Sequence, residues 1–151
     1  MPNHCHNRVT FYSDNTADVE QLKKIFQDEN TFGQIIPEPD WANTQLTSET
    51  AGNWLHSKRG EVGELPMPDG TFQSTGRHDD RWYDWRLANW DTKWDAYDVV
   101  VTDDDPECTE IEFNTASSPP EAICHALREQ NPDVSISWFY DEPGCEIAGY
   151  L

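Results

Sequence analysis

Residues 82–98 read WYDWRLANWDTKWDAYD and hold four of the seven tryptophans of this 151-residue chain. Tyr83, Leu87, Trp90 and Trp94 recur at i, i+4, i+7 and i+11, the spacing of one helical face. A large ring buries roughly 150–250 Å², so the stretch is expected as a helix that covers much of the core. Asp79 or Asp80 stands ready to cap it. Trp82 and Trp85 fall on a neighbouring face, and Arg86 and Lys93 are placed to thread between rings.

Strand patterns follow immediately. Residues 97–102, YDVVVT, are β-branched, and Asp103, Asp104, Asp105 and Pro106 make a turn. Residues 109–115 alternate Ile111 and Phe113 against Glu110, Glu112 and Asn114, completing a hairpin. Ser118 as N-cap, Pro119 at the first helical position and Glu121 two further on read as a capping box. Ile123, Ala126 and Leu127 form that helix's inner face, and Asn131 and Pro132 stop it. Residues 134–140 predict a strand with Val134, Ile136 and Trp138 inward. Pro143 and Gly144 turn the chain into a short final strand over 145–151.

Upstream, residues 7–13 alternate Val9 and Phe11 against Arg8, Thr10 and Tyr12, a half-buried strand. Asp14, Asn15 and Thr16 offer an N-cap, and Val19, Leu22, Ile25 and Phe26 share a face of a helix running to about Asp28. Residues 32–39, FGQIIPEP, leave that helix through Gly33, with Ile35 and Ile36 as an apolar anchor before Pro37 and Pro39. From about 40 to 80 the chain is polar and broken by glycine and proline, with one short helix expected over 47–56. So long an irregular stretch reads as a partner-binding insertion or a mobile loop. The whole order predicts one α+β domain over 1–151, a ferredoxin-like sandwich. An antiparallel sheet carries helices on one face, with a long insertion after the first helix. The open face would then present Arg8, Asp98, Glu110, Glu112 and Glu146.

Charge restricts partners. Ten basic residues stand against 29 acidic ones, a formal net charge of −19. Such a chain repels phosphate backbones and anionic lipid and attracts basic surfaces. No apolar run approaches the roughly 18 residues of a membrane span. MPNHCHNRV has no apolar core of a signal peptide, so a cytoplasmic protein is expected. Cys5, Cys108, Cys124 and Cys145 are scattered without a CxxC pair and are expected as free thiols.

Catalytic signatures are missing: no nucleophile elbow, no phosphate-cradling glycine loop, no H-E-x-x-H. Neither an enzyme nor a cofactor is expected. His4, Cys5 and His6 form an alternative metal clip, joined by Cys145 or by Cys124 and His125, with nitrogen and sulfur ligands suited to zinc. Neighbours on a strand point to opposite faces, so at most two of the three can converge. Asp103, Asp104, Asp105 and Glu107 lack the alternating ligands and central glycine of a calcium loop. The tryptophans could stack nucleobases, but an acidic open face argues for core packing and against direct nucleic-acid binding.

Several blocks resemble the YubB-like, ferredoxin-like domain family of small phage and plasmid proteins. Asn3-x-Cys5-x-Asn7-x-Val9 is similar to its opening NWCxN, with His4 in place of tryptophan. Phe32-Gly33-Gln34-Ile35-Ile36-Pro37-Glu38-Pro39 resembles its F-x-x-I-I-P-x-P. Residues 89–96, NWDTKWDA, resemble NWGTKWDA, with Asp91 replacing glycine. Residues 113–120 resemble F-x-T-A-W-S-P-P with Ser117 for tryptophan, and residues 140–144 resemble Y-x-E-x-G. Residues 41–81 have no counterpart. The resemblance implies a mobile-element setting, a ferredoxin-like core without an iron–sulfur cluster, and no catalytic residues. Charge and resemblance together lead to the expectation of an accessory protein that binds a host protein. The class expected is a host-defence inhibitor of the anti-CRISPR or anti-restriction kind, an acidic decoy in a basic nucleic-acid groove. Asp98, Glu110, Glu112 and Glu146 of the open face, with Asp79, Asp80, Asp103, Asp104 and Asp105 at loops, would pair with the partner's Arg and Lys.

Overall fold

The computed structural model describes residues 3–49, 63–75 and 79–151. Strand β1 (His4–Tyr12) alternates along its whole length: Cys5, Asn7, Val9 and Phe11 are buried, while His4, His6, Arg8 and Tyr12 face outward. It starts three residues ahead of the expected position, because the alternation already begins at His4. Helix α1 (Thr16–Gln27) is capped by Asn15, whose side chain accepts from Ala17 N–H at 3.2 Å. Val19, Leu22 and Phe26 form its buried face. A short helix, α2 (Thr31–Ile35), follows where an irregular exit was expected, and it buries Phe32 and Ile35. A Cβ at Gly33 would lie 2.2 Å from Asn30 Oδ1, so a larger residue there would make that exposed side chain turn aside.

Helix α3 (Arg81–Trp90) is shorter than the aromatic spacing suggests. Asp91 takes a left-handed φ of 63° and ends it, so Trp94 lies beyond the helix. Trp90 is buried, but Tyr83, Leu87 and Trp94 stay 41%, 40% and 40% exposed. The expectation of one continuous core face is therefore corrected, and Trp90 alone of the four sits in the core.

Strands β4 (Tyr97–Asp104) and β5 (Cys108–Ala116), helix α4 (Glu121–Gln130), and strands β6 (Ser135–Glu142) and β7 (Ile147–Tyr150) complete the chain. The sheet runs β4-β5-β1-β6-β7 with every neighbour antiparallel. The protein is thus α+β, and the sequence β1-α1-β4-β5-α4-β6 is consistent with a ferredoxin-like arrangement. Helix α1 packs on β1 and β5, and α4 on β6. Phe26 anchors the layer, its ring 5.7 Å from Phe11, 5.2 Å from Phe113 and 6.4 Å from Trp138.

The chain divides into two compact units, Met1–Pro37 with Arg86–Leu151, and Glu38–Trp85. In the second, β2 (Gly63–Pro66) pairs with β3 (Phe72–Thr75) around Leu46, Leu65 and Met67. Arg81 organises its other end. Its guanidinium lies 5.0 Å over Trp41, donates to Trp41 O at 2.9 Å and to Asp79 Oδ2 at 2.7 Å. Most of the helix expected over 47–56, Trp54 and Leu55 included, lies outside the described residues.

The predicted capping box is not formed. Helix α4 begins at Glu121, Pro120 caps it without a side-chain bond, and Ser118 Oγ donates to Asp91 O. The cap comes from far away in sequence: Asp91 Oδ2 accepts Ala122 N–H at 2.9 Å. Asp91 thereby ends one helix and caps another.

The sequence blocks that stand out as motifs bond to one another. Trp90 Nε1 donates to Ile36 O at 3.0 Å, and Thr92 Oγ1 to Ala116 O at 3.0 Å. Asp95 Oδ1 accepts from Phe32 N–H at 3.0 Å and from Ala96 N–H at 2.7 Å. Burial nevertheless holds the Asp95 carboxyl above its ordinary pKa, its backbone hydrogen bonds opposing that shift only in part. Asn7, fully enclosed, donates to Thr115 Oγ1 at 3.0 Å and accepts from Trp138 Nε1 at 3.0 Å. These residues hold the architecture together.

Candidate functional site

The open face of the sheet carries the chemistry. Alternation on β1 sends His4, His6 and Arg8 to this face, and β5 adds Glu110, Glu112 and Asn114. Strand β6 adds Phe139 and Asp141, opposite Arg8 and His6 respectively. Strand β4 adds Asp98 and Val100, with Asp98 at φ 54° where the ladder to β5 is irregular. All of these except His4 and Glu110 line a groove of about 420 Å³.

Arg8 lies at its centre. It pairs in register with Glu112 on one side and Phe139 on the other, and its guanidinium sits 5.2 Å over the Phe139 ring. It makes no ion pair among the described residues. Three carboxylates, Asp98, Glu112 and Asp141, share the groove with this one cation. A hydrogen-bonded row runs beside them. Asn114 Nδ2 donates to Asp98 Oδ2 at 3.3 Å, and His6 Nδ1 meets Asn114 Oδ1 at 2.6 Å. A carboxylate only accepts, so Asn114 turns its amide nitrogen to Asp98 and its oxygen to His6. His6 therefore donates through Nδ1. His4 Nδ1 is bonded to the Tyr97 hydroxyl. Burial, first, and the neighbouring Asp98 charge raise the Tyr97 hydroxyl pKa.

The anticipated acids fall in different places. Asp98 and Glu112 belong to the groove. Glu110 lies on the same face, held by Thr102 Oγ1 at 2.9 Å and Thr10 Oγ1 at 3.5 Å. Asp103 stands opposite Glu110 in the ladder, like charge facing like charge. Asp104 accepts from Lys23 Nζ at 3.0 Å, and this bond, with a second that Lys23 donates to Glu20, raises the lysine's pKa. Asp105 closes the hairpin turn by accepting Glu107 N–H at 3.0 Å. Glu146 is not on the open face, because β7 starts only at Ile147 and Glu146 occupies a left-handed turn position with φ 56°. Asp79 and Asp80 belong to the second unit, where Asp79 is bonded to Arg81.

The metal clip does not assemble. His4 and His6 face outward while Cys5 is buried on the core side, so the three diverge. Burial, chiefly, pushes the Cys5 thiol up to about 11. Cys145 is exposed in the turn before β7, and all four cysteines are free. Among the described residues no group of three metal-ligating side chains converges. Glu142 beside it is wholly buried; one oxygen accepts Cys145 N–H, and the other has no partner among the described residues.

Asn114, Phe139 and Asp141 were not singled out from sequence. Parity could have found them. With Trp138 and Phe113 inward, Phe139, Asp141 and Asn114 must face the other way.

No family model matches the chain. No curated protein matches it. Among solved structures it is similar to the crystal structure of a protein api92 from Yersinia pseudotuberculosis, of family model DUF1281. The two share 12% identity at a TM-score of 0.55, over 99% of this chain and 93% of that one. At that identity the likeness speaks for the fold alone. No helix among the described residues is long and apolar enough to cross a membrane.

Proposed function

We propose that this protein works by binding, its carboxylates occupying a basic, nucleic-acid-handling surface of a host protein. The observation that carries this reading is the open-face groove, where Asp98, Glu112 and Asp141 outnumber the single cation Arg8. Asp103 opposite Glu110 adds a like-charge pair that an incoming Arg or Lys would relieve. With 29 acidic residues against ten basic ones, the long-range field favours the same partner. Catalysis finds less support: the Asp98–Asn114–His6 row is oriented, but among the described residues no nucleophile is bonded to His6.

In this reading the first unit is a ferredoxin-like domain extended by β7, with Glu38–Trp85 inserted ahead of the second half. Membership of the YubB-like family is supported by the way its characteristic blocks bond to each other. Trp90 and Asp95 bond to the 32–39 block, at Ile36 and Phe32, and Thr92 bonds to the 113–120 block, at Ala116. A mobile-element inhibitor of host defence, of anti-CRISPR or anti-restriction type and acting in the host cytoplasm, is the corresponding biological role. It calls for no cofactor and no contact with nucleic acid or membrane.

The test is affinity capture from host lysate at low and high salt, followed by competition with duplex DNA. The reading expects a basic nucleic-acid-binding protein that elutes as salt rises and is displaced by DNA. Recovery of no such protein at low salt would refute it.

A further inference from the structure

Strand β4 is an edge of the sheet, and among the described residues it pairs on one side only, with β5. An unpaired edge offers a row of main-chain donors and acceptors to any extended chain. The strand reads YDVVVTDD, with half-buried Val99 and Val101 and exposed Val100, and has no proline or lysine. Its ladder to β5 shifts register between Tyr97 and Val100 and again between Val101 and Asp103, so Val100 and Val101 are its regularly paired centre. Beside it runs a trough of about 670 Å³ between the strand and the end of α1. Phe26, Val99, Val100 and Val101 give the trough an apolar wall, while Tyr97 turns its hydroxyl to His4 on the open face. Asp28, Glu29 and Asp98 are its only charged lining residues, and all are acidic. Asp98 and Val100 line both this trough and the open-face groove.

The geometry points to β4 as a docking edge for an extended segment of the partner that alternates apolar and basic residues. The apolar side chains would enter the trough beside Val99 and Val101. The basic ones would meet Asp98 and Glu112 on the open face, and Asp28 and Glu29 at the rim. Main-chain hydrogen bonds to β4 would supply affinity, and the two-residue alternation would supply specificity. A second copy of this chain is disfavoured as occupant, because its own β4 would bring Asp98, Asp103 and Asp104 against the same carboxylates. The inference rests on the acidic-binding reading and adds the form the partner takes.

The probe is an acetylated and amidated heptapeptide of alternating lysine and valine, titrated at low salt into isotope-labelled full-length protein. Its control has proline at each valine position, with equal charge but without the donors for strand pairing. Two or more lost main-chain bonds at about 1 kcal/mol each predict at least about tenfold weaker binding of the control. Amide shifts and slowed hydrogen exchange should centre on β4 and the last turn of α1. Equal binding of both peptides would overturn edge docking and leave the acidic reading standing. Failure of both to bind would overturn the two together. A dimer in sedimentation, with β4 amides already protected before peptide is added, would assign the edge to a second copy and overturn the proposal.

Discussion

Asp91 joins two helices through one residue, and its replacement separates two opposing effects. Its φ of 63° is a conformation that costs an ordinary L-residue about 1–2 kcal/mol and glycine almost nothing. Its carboxylate accepts Ala122 N–H at 2.9 Å, a cap whose removal typically costs about 1 kcal/mol. Asp91→Ala loses the cap and keeps a side chain ill suited to the left-handed region, so it should destabilise by about 1.5–2 kcal/mol. Asp91→Gly loses the cap but relieves the strain, against about 0.5–1 kcal/mol of extra unfolded-state entropy. The net loss should stay within about 1 kcal/mol. Asp91→Asn keeps both the tolerated φ and an acceptor, and should cost about 0.5 kcal/mol from the lost charge at the helix end. For a chain of this size each kcal/mol shifts Tm by about 2–4 °C, placing the alanine variant about 5 °C below the parent. Urea and thermal unfolding should rank the set as parent, Asn, Gly, Ala. An alanine variant as stable as the parent, or a glycine variant less stable than the alanine one, would refute the double role.

Asp95 predicts a pH effect of definite sign. Its folded pKa is raised above the ordinary 3.8, so between the two values the native state holds more protons than the unfolded one. The stability it contributes is complete below the unfolded pKa and is lost as pH rises through the folded one. Asp95→Asn should therefore gain on the parent as pH climbs from about 4 towards neutrality. Chemical denaturation across that range would show a constant gap if the argument is wrong. Asn7→Leu removes the acceptor of Trp138 Nε1 and the donor to Thr115 Oγ1 inside the core. Stranding those groups should cost about 2–4 kcal/mol, read as a lowered urea midpoint with an unchanged slope. A loss under about 1 kcal/mol would mean that the network relaxes around the substitution.

Much of the sheet was legible because strand parity is a local property. Val9 and Phe11, Ile111 and Phe113, and Ile136 and Trp138 declare which face is buried, and the open face follows by exclusion. Asp98 and Glu112 reached the groove for that reason, and Phe139 and Asp141 were accessible to the same logic. What failed was non-local. The tryptophan spacing continues past Asp91, but a left-handed residue there rotates Trp94 off the helix, and apolar periodicity carries no record of φ. The Ser118–Glu121 pattern is a complete local cap signal, yet Asp91 supplies the bond from another segment. Glu146 fell out of the open face because a turn residue at φ 56° delays β7 to Ile147. Which acids are committed internally, such as Asp79 to Arg81 and Asp104 to Lys23, depends on contacts that a charge count does not contain.

The charge-neutral triple variant Asp98→Asn, Glu112→Gln, Asp141→Asn tests the acidic groove most directly. Asparagine tolerates the φ of 54° at position 98, so the sheet should survive the change. Against a captured basic partner, the dissociation constant should rise about tenfold or more at low salt, and its dependence on salt should flatten. An unchanged dissociation constant with an unchanged salt slope, in a variant as stable as the parent, would contradict the claim that these carboxylates are the binding surface.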